Sequence, residues 1–220
     1  MCYTKRASII AFLTGILSSL ALIQFGNEKY KTENVALGLF FIYVSFAQLI
    51  DYMLYIDPSC KIGSNQLAGW IGPILFALQP FILFVLYLFV VYKTEPSSIY
   101  NKYKNVYTGL NLLYLVLILF LYVQYIQSGD TCSKVQNGRV KWTWPEQNFG
   151  YYSSILYTLL LILNLTLFLQ CSKYFYIAFG LVFLFYFISK FQFVHHVGEF
   201  WCFFSNSVPL IILILQKTIA

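Results

Sequence analysis

Charged side chains are scarce in this chain. Its 220 residues carry 14 Lys and Arg and 8 Asp and Glu, 10% in all, where a soluble domain carries about 25%. That shortage excludes water as the main solvent. No basic run with interleaved aromatics lies outside the apolar segments, so the net charge of +6 reads as membrane orientation and attraction to anionic lipid, not as nucleic-acid binding. Histidine is limited to His195 and His196, with no HxxxH or HExxH spacing, which removes the zinc-peptidase pattern and that of seven-helix ceramidases. The cysteines include no CxxC pair. No nucleophile-elbow glycines flank Ser45, Ser189, Ser205 or Ser207. A retinal protein needs a lysine midway along its last helix, and here Lys217 stands at the extreme end.

What the chain has is apolar surface: 60% of its residues are hydrophobic and 20% are aromatic, with a mean hydropathy of +0.70. Seven apolar segments run near 7–25, 35–56, 67–92, 105–127, 150–170, 174–193 and 197–216, each close to the ~20 residues that cross a bilayer. The sequence predicts an all-α polytopic membrane protein, a single domain over 1–220 built as a bundle of seven transmembrane helices, with aromatic belts at the two interfaces. Lys5 and Arg6 before the first segment imitate a signal peptide. The apolar run is long, however, and no small-x-small site ends it, so a retained helix is expected.

Lys and Arg divide evenly between the two sides of this topology, so the positive-inside rule gives a tie. Cysteine position breaks it. Cys2, Cys60, Cys132 and Cys202 fall on one side and Cys171 on the other. Four cysteines on one side suit an oxidising compartment and two disulfides, expected as Cys60–Cys132 and Cys2–Cys202; unpaired thiols or a metal cluster are the rival reading. The N-terminus is then extracytoplasmic and the C-terminus cytoplasmic.

Polar residues inside spans are candidate site residues or helix-to-helix glue. Ser45, Gln48 and Asp51 lie on neighbouring turns of one face of the second segment. Pro80 removes a backbone donor, which kinks the third segment and frees a carbonyl near Gln79. Asn111 and Asn164 stand alone on the fourth and fifth; Asn164-Leu165-Thr166 matches the glycosylation pattern but sits inside a span. In the last segment Glu199, Cys202 and Asn206 share a face at i, i+3 and i+7, with His195 at i−4. A pocket narrowing inward among segments two, three and seven, lined by Gln48, Asp51, Gln79, Glu199 and Asn206, would carry a cation or a proton-coupled polar solute, gated at Pro80 and Pro209. The alternative is a receptor or sensor in which His195, His196 and Glu199 respond to a ligand or to pH. A third reading is a metal-dependent enzyme, with His196, Glu199 and Asp51 or Cys202 holding zinc; no other cofactor is expected.

The opening Met1-Cys2-Tyr3-Thr4, Gln48-Leu49-Ile50-Asp51-Tyr52, Cys60 followed by Asn65, Gln79-Pro80 and Trp201-Cys202 together resemble a family of seven-helix membrane proteins found in large DNA viruses of plankton and their protist hosts. The resemblance extends along the full chain. It implies the topology and no particular activity.

Overall fold

The computed structural model describes residues 4–94, 97–129, 131–136, 139–168, 173–192, 201 and 204–218. Among these residues the chain is helical apart from one small hairpin. Helix α1 (Lys5–Phe25) starts where the Thr4 hydroxyl accepts from the Ala7 N–H at 3.1 Å, an N-cap that satisfies one of the four donors a helix leaves open. Helix α2 spans Lys31–Ile56, α3 Ser64–Ala77 and α4 Gln79–Leu86, the last continued by a π turn at Tyr87–Val91. Helix α5 runs over Ser98–Gln127, with a non-helical backbone at Tyr103 that sets its first turn apart from the apolar remainder. Strands β1 (Lys134–Gln136) and β2 (Arg139–Lys141) pair antiparallel with Val135 opposite Val140. Helices α6 (Asn148–Phe168), α7 (Lys173–Gln192) and α8 (Val208–Thr218) complete the fold.

Helices α1, α2, α5 and α6 are long and apolar enough to cross a membrane, and a fifth span results if α3 and α4 count as one, bent by 51° at Leu78. The outward face of α5 presents Leu113, Val116 and Phe120, each more than half exposed, a surface suited to lipid. Helices α7 and α8 are shorter apolar stretches within the described residues. The third apolar segment therefore departs from expectation: it is two helices meeting at an angle, not one kinked rod.

Close helix contact follows from small residues. The buried stripe of α1 is Ser8, Ala11, Gly15, Ser18, Ser19 and Leu22, so its backbone can approach α2 nearly to contact. At Gly15 a Cβ would collide with Ser45 Oγ and lie 2.9 Å from Asn206 Oδ1; α1, α2 and the approach to α8 meet there. Each end of the bundle has its own lock. At one, the Asn27 N–H donates to Gln216 Oε1 (2.9 Å), Gln216 Nε2 to Asn34 Oδ1 (2.7 Å) and Asn34 Nδ2 back to Asn27 O (3.1 Å). This closed amide ring fixes α8 against the α1–α2 turn.

The other end carries the Cys60–Cys132 disulfide, which joins the α2–α3 loop to the loop after α5 across 72 residues of sequence. It is one of the two pairings expected; Cys2 and Cys202 lie outside the described residues. Beside it, the Asp57 carboxylate accepts from the backbone N–H groups of Lys61, Ile62, Gly63 and Asn65 at 2.8–3.4 Å. The Asn65 side chain clamps Ser133, donating to its carbonyl and accepting from its N–H, both at 2.9 Å. Aromatic rings collect at both ends: Trp142 packs on Phe76 (4.6 Å) and Trp144 (5.3 Å) at the disulfide end, and Tyr87 on Tyr100 (5.3 Å) and Phe168 (5.6 Å) at the opposite end.

Candidate functional site

The bend between α3 and α4 sets the geometry of the interior. Proline has no N–H, so Pro73 leaves the Gly69 carbonyl without its helical donor; the Tyr125 hydroxyl donates to it at 2.9 Å. The α3 terminus at Ala77 opens further carbonyls. Leu78 N–H serves Ile74 O and Phe76 O, the Tyr43 hydroxyl donates to Leu75 O at 2.8 Å, and the Tyr114 hydroxyl donates to Ala77 O. Asn164 Nδ2 reaches Pro80 O at 2.8 Å while exchanging amide bonds with Asn111 at 2.9–3.0 Å. Side chains from α2, α5 and α6 thus replace the donors that the bend removes. Sequence reasoning placed the kink at Pro80 but missed these partners. The available signal was a tyrosine-rich α5 with Tyr114, Tyr122 and Tyr125 at helical spacing.

Beside the bend lies a cavity of about 400 Å³ bounded by α2, α3, α4, α6, α7 and the residues Trp144, Trp201 and Ser205, inside the ~300–1,000 Å³ range of small-molecule sites. Its wall is mostly aromatic and aliphatic, including Phe40, Phe41, Phe76, Leu161 and Phe179. Gln79, the first residue of α4 and nearly buried, contributes to it; its Oε1 accepts from the Tyr157 hydroxyl at 2.9 Å. Ser205, also nearly buried, lines the cavity, and its hydroxyl has no partner among the described residues. No charged side chain lines the cavity among those residues.

The other expected site residues are placed elsewhere. Asp51 is buried and accepts from Trp142 Nε1 at 3.0 Å, which ties the disulfide-end loop to α2. Gln48, one turn deeper, is fully buried. Asn206 meets Ser45 at 3.0 Å, and its carbonyl accepts from the Ser18 hydroxyl at 3.3 Å. Ser45 has one proton and a nearer acceptor in Phe41 O at 2.7 Å. The Asn206 amide therefore satisfies Ser45 best with its NH2 group donating to Oγ, amide O and N being interchangeable in position. Of the four members of the expected pathway that are described, Gln79 alone lines the cavity. Gln48 and Asp51 share the buried face of α2, and Asn206 sits in the three-helix junction at Gly15. His195, His196 and Glu199 lie outside the described residues; among those described, no three His, Cys, Asp or Glu side chains gather as a metal would require.

Asp57 is held in its ionised form. Burial raises its pKa, but the backbone N–H groups of Ile62, Lys61, Asn65 and Gly63 outweigh that and hold the carboxyl below its ordinary value. Its role is to shape the disulfide loop, and it lies away from the cavity. Comparison with protein-family models, with curated proteins and with solved structures gives no match for this chain.

Proposed function

We propose that this protein is a seven-span integral membrane protein that carries a small organic solute through the cavity at its broken third span. In this reading α7 and α8 belong to the last two crossings. The observation that carries the proposal is the coincidence of cavity and break: α4 begins at Gln79, and Gln79 lines the cavity. Broken spans that meet a pocket near the midplane are the usual binding architecture of secondary transporters. Here the broken ends already hold tyrosine and asparagine partners, so their carbonyls are poorly placed to coordinate a cation. An uncharged solute suits this wall better than the cation that sequence alone favoured.

The test is native mass spectrometry of protein released from lipid nanodiscs, alongside thermal shifts against a metabolite and lipid library. The wild type should hold one drug-sized molecule that Leu161→Trp, which fills the cavity, excludes. A bare wild-type mass and unchanged melting across the library would overturn the reading.

A second reading, proton- or cation-coupled transport through Asp51, is favoured by one observation, a buried carboxylate within a span. In proteoliposomes with a pH-sensitive dye, Asp51→Asn should then abolish flux without unfolding the protein, and unchanged flux would remove the reading. The disulfide supports an extracytoplasmic position for the Cys60–Cys132 end, because such bonds persist in oxidising compartments. That orientation puts the N-terminus outside and the C-terminus in the cytoplasm.

A further inference from the structure

We infer that the solute is a single-chain amphiphile with an uncharged polar head, which enters sideways from the bilayer between α6 and α7 and binds with its head toward the disulfide end. The inference rests on the carrier reading above and names its substrate class.

Three observations carry it. First, the cavity is open to the flank of the bundle. Its lining includes Ser154, Thr158 and Ile162 of α6 and Phe183 of α7, and all four are exposed at the molecular surface. In a membrane that flank faces hydrocarbon, so a solute can arrive from the lipid without crossing water.

Second, along α6 and α7, the two helices that frame the opening, polarity changes in a fixed direction, while Phe76 and Trp144 keep the opposite wall apolar at the disulfide end. Helix α6 descends from the disulfide end, and its lining residues run Ser153, Ser154, Tyr157 and Thr158 before Leu161 and Ile162. Helix α7 ascends toward that end, and its lining runs Phe179, Val182 and Phe183 before Tyr186. Both helices therefore place hydroxyl-bearing residues toward the disulfide end and apolar ones toward the far end. A molecule matching this gradient has a polar head and an apolar tail.

Third, the polar groups that line the cavity among the described residues are neutral. The hydroxyls of Ser153, Ser154 and Thr158 donate to carbonyls of their own helix, which leaves their lone pairs to accept from a ligand hydroxyl. Gln79 receives its bond from Tyr157 on Oε1, and its Nε2 remains as a donor. The nearly buried Ser205 hydroxyl has no partner among the described residues. Amides and hydroxyls satisfy a head such as a glycerol or an alcohol. An ionised head against the described wall, which is largely apolar and carries no charged side chain, would lose its hydration with no counter-charge from those residues.

The experiment uses the full chain in phosphatidylcholine nanodiscs and two photoreactive probes of equal chain length, each with a diazirine in the chain and an alkyne handle. One is a monoacylglycerol and the other an alkyl sulfonate, which stays anionic at every working pH. Crosslinked peptides are mapped by mass spectrometry. The monoacylglycerol should label the cavity-facing peptides of α6 and α7 and be displaced by unlabelled monoacylglycerol. Labelling should fall about tenfold in Ile162→Trp, which closes the flank from an exposed position that folding does not need, and about fivefold in Gln79→Leu through the loss of one hydrogen bond. Cavity labelling by the sulfonate equal to or above that of the monoacylglycerol would overturn the uncharged-head inference while leaving the carrier reading intact. Labelling spread equally over the outward face of α5, indifferent to competitor and to Ile162→Trp, would reveal an ordinary lipid annulus only and overturn both.

Discussion

Single residues decide how closely this bundle can pack. Gly15 is the sharpest case, since any side chain there meets Ser45 Oγ. Gly15→Ala should destabilise the protein by about 1–3 kcal/mol, the usual cost of overpacking a close contact, and thermal unfolding in detergent would measure it. A melting temperature equal to wild type would mean that α1 and α2 are not locked at this depth. Asp57 gives a pH signature of opposite origin. Its carboxyl titrates below the ordinary value when folded, so its contribution is complete above the unfolded value near ~3.9. That contribution is lost as the pH falls through the lower folded value. Protease cleavage in the 57–63 loop should therefore stay low from neutral pH down to about pH 4 and rise below it, while Asp57→Ala should be cleaved at neutral pH as well. These details were only partly legible in the sequence. The buried polar face of Ser45, Gln48 and Asp51 could be read from helical spacing, but a carboxylate's partners depend on which loop folds over it. Trp142, the donor to Asp51, is 91 residues away, and no local pattern links the two.

At the scale of elements, the broken third span is the feature the sequence half revealed. Pro73 and Pro80 announce missing donors, and any proline in a hydrophobic segment does so. What they do not announce is whether the segment bends, or who repairs the ladder. Both depend on hydroxyls and amides brought from α2, α5 and α6, which are tertiary facts. Tyr114→Phe and Tyr125→Phe remove only an oxygen, so each tests one repair. Each should cost roughly 1 kcal/mol, the net worth of a hydrogen bond whose loss leaves a buried carbonyl unmet, and equilibrium unfolding in mixed micelles would read it. Should both variants match wild type, these two hydroxyls would contribute nothing to the stability of the bend. Segment boundaries were legible to within a few residues where a helix ends in a polar turn. They were less so at α5, whose first turn is amphipathic and separated from the rest at Tyr103.

For the whole molecule, the disulfide and the amide ring work at opposite ends. The Cys60–Cys132 bond closes a 72-residue span, for which chain entropy alone gives a stabilisation of roughly 4 kcal/mol. Under the proposed membrane insertion the reduced chain is already restrained, so the measured value should be smaller. Intact cells treated with a reductant should expose both thiols to an impermeant maleimide, whereas untreated cells should not. Labelling only after the cells are broken open would place this end in the cytoplasm and reverse the proposed orientation. Composition was enough to announce apolar helices, because charge is too sparse for anything else. The cavity was not legible: its wall comes from five helices whose neighbours no sequence pattern names, and among the described residues it draws on no charged side chain.

The junctions at Ser45 and Asn34 also bear on how the protein is made. Asn34 waits for Gln216, and Ser45 for Asn206, across 182 and 161 residues of chain. At ~5–20 residues per second, on the order of ten seconds or more separates the synthesis of each partner from the other. During that interval, in the membrane reading proposed above, α1 and α2 form a hairpin whose amide and hydroxyl groups lack their final partners. Truncation before residue 206 should leave that hairpin inserted but open, and hence a substrate for quality control. The stretch from Asn206 to Gln216 is thus what closes the first two helices.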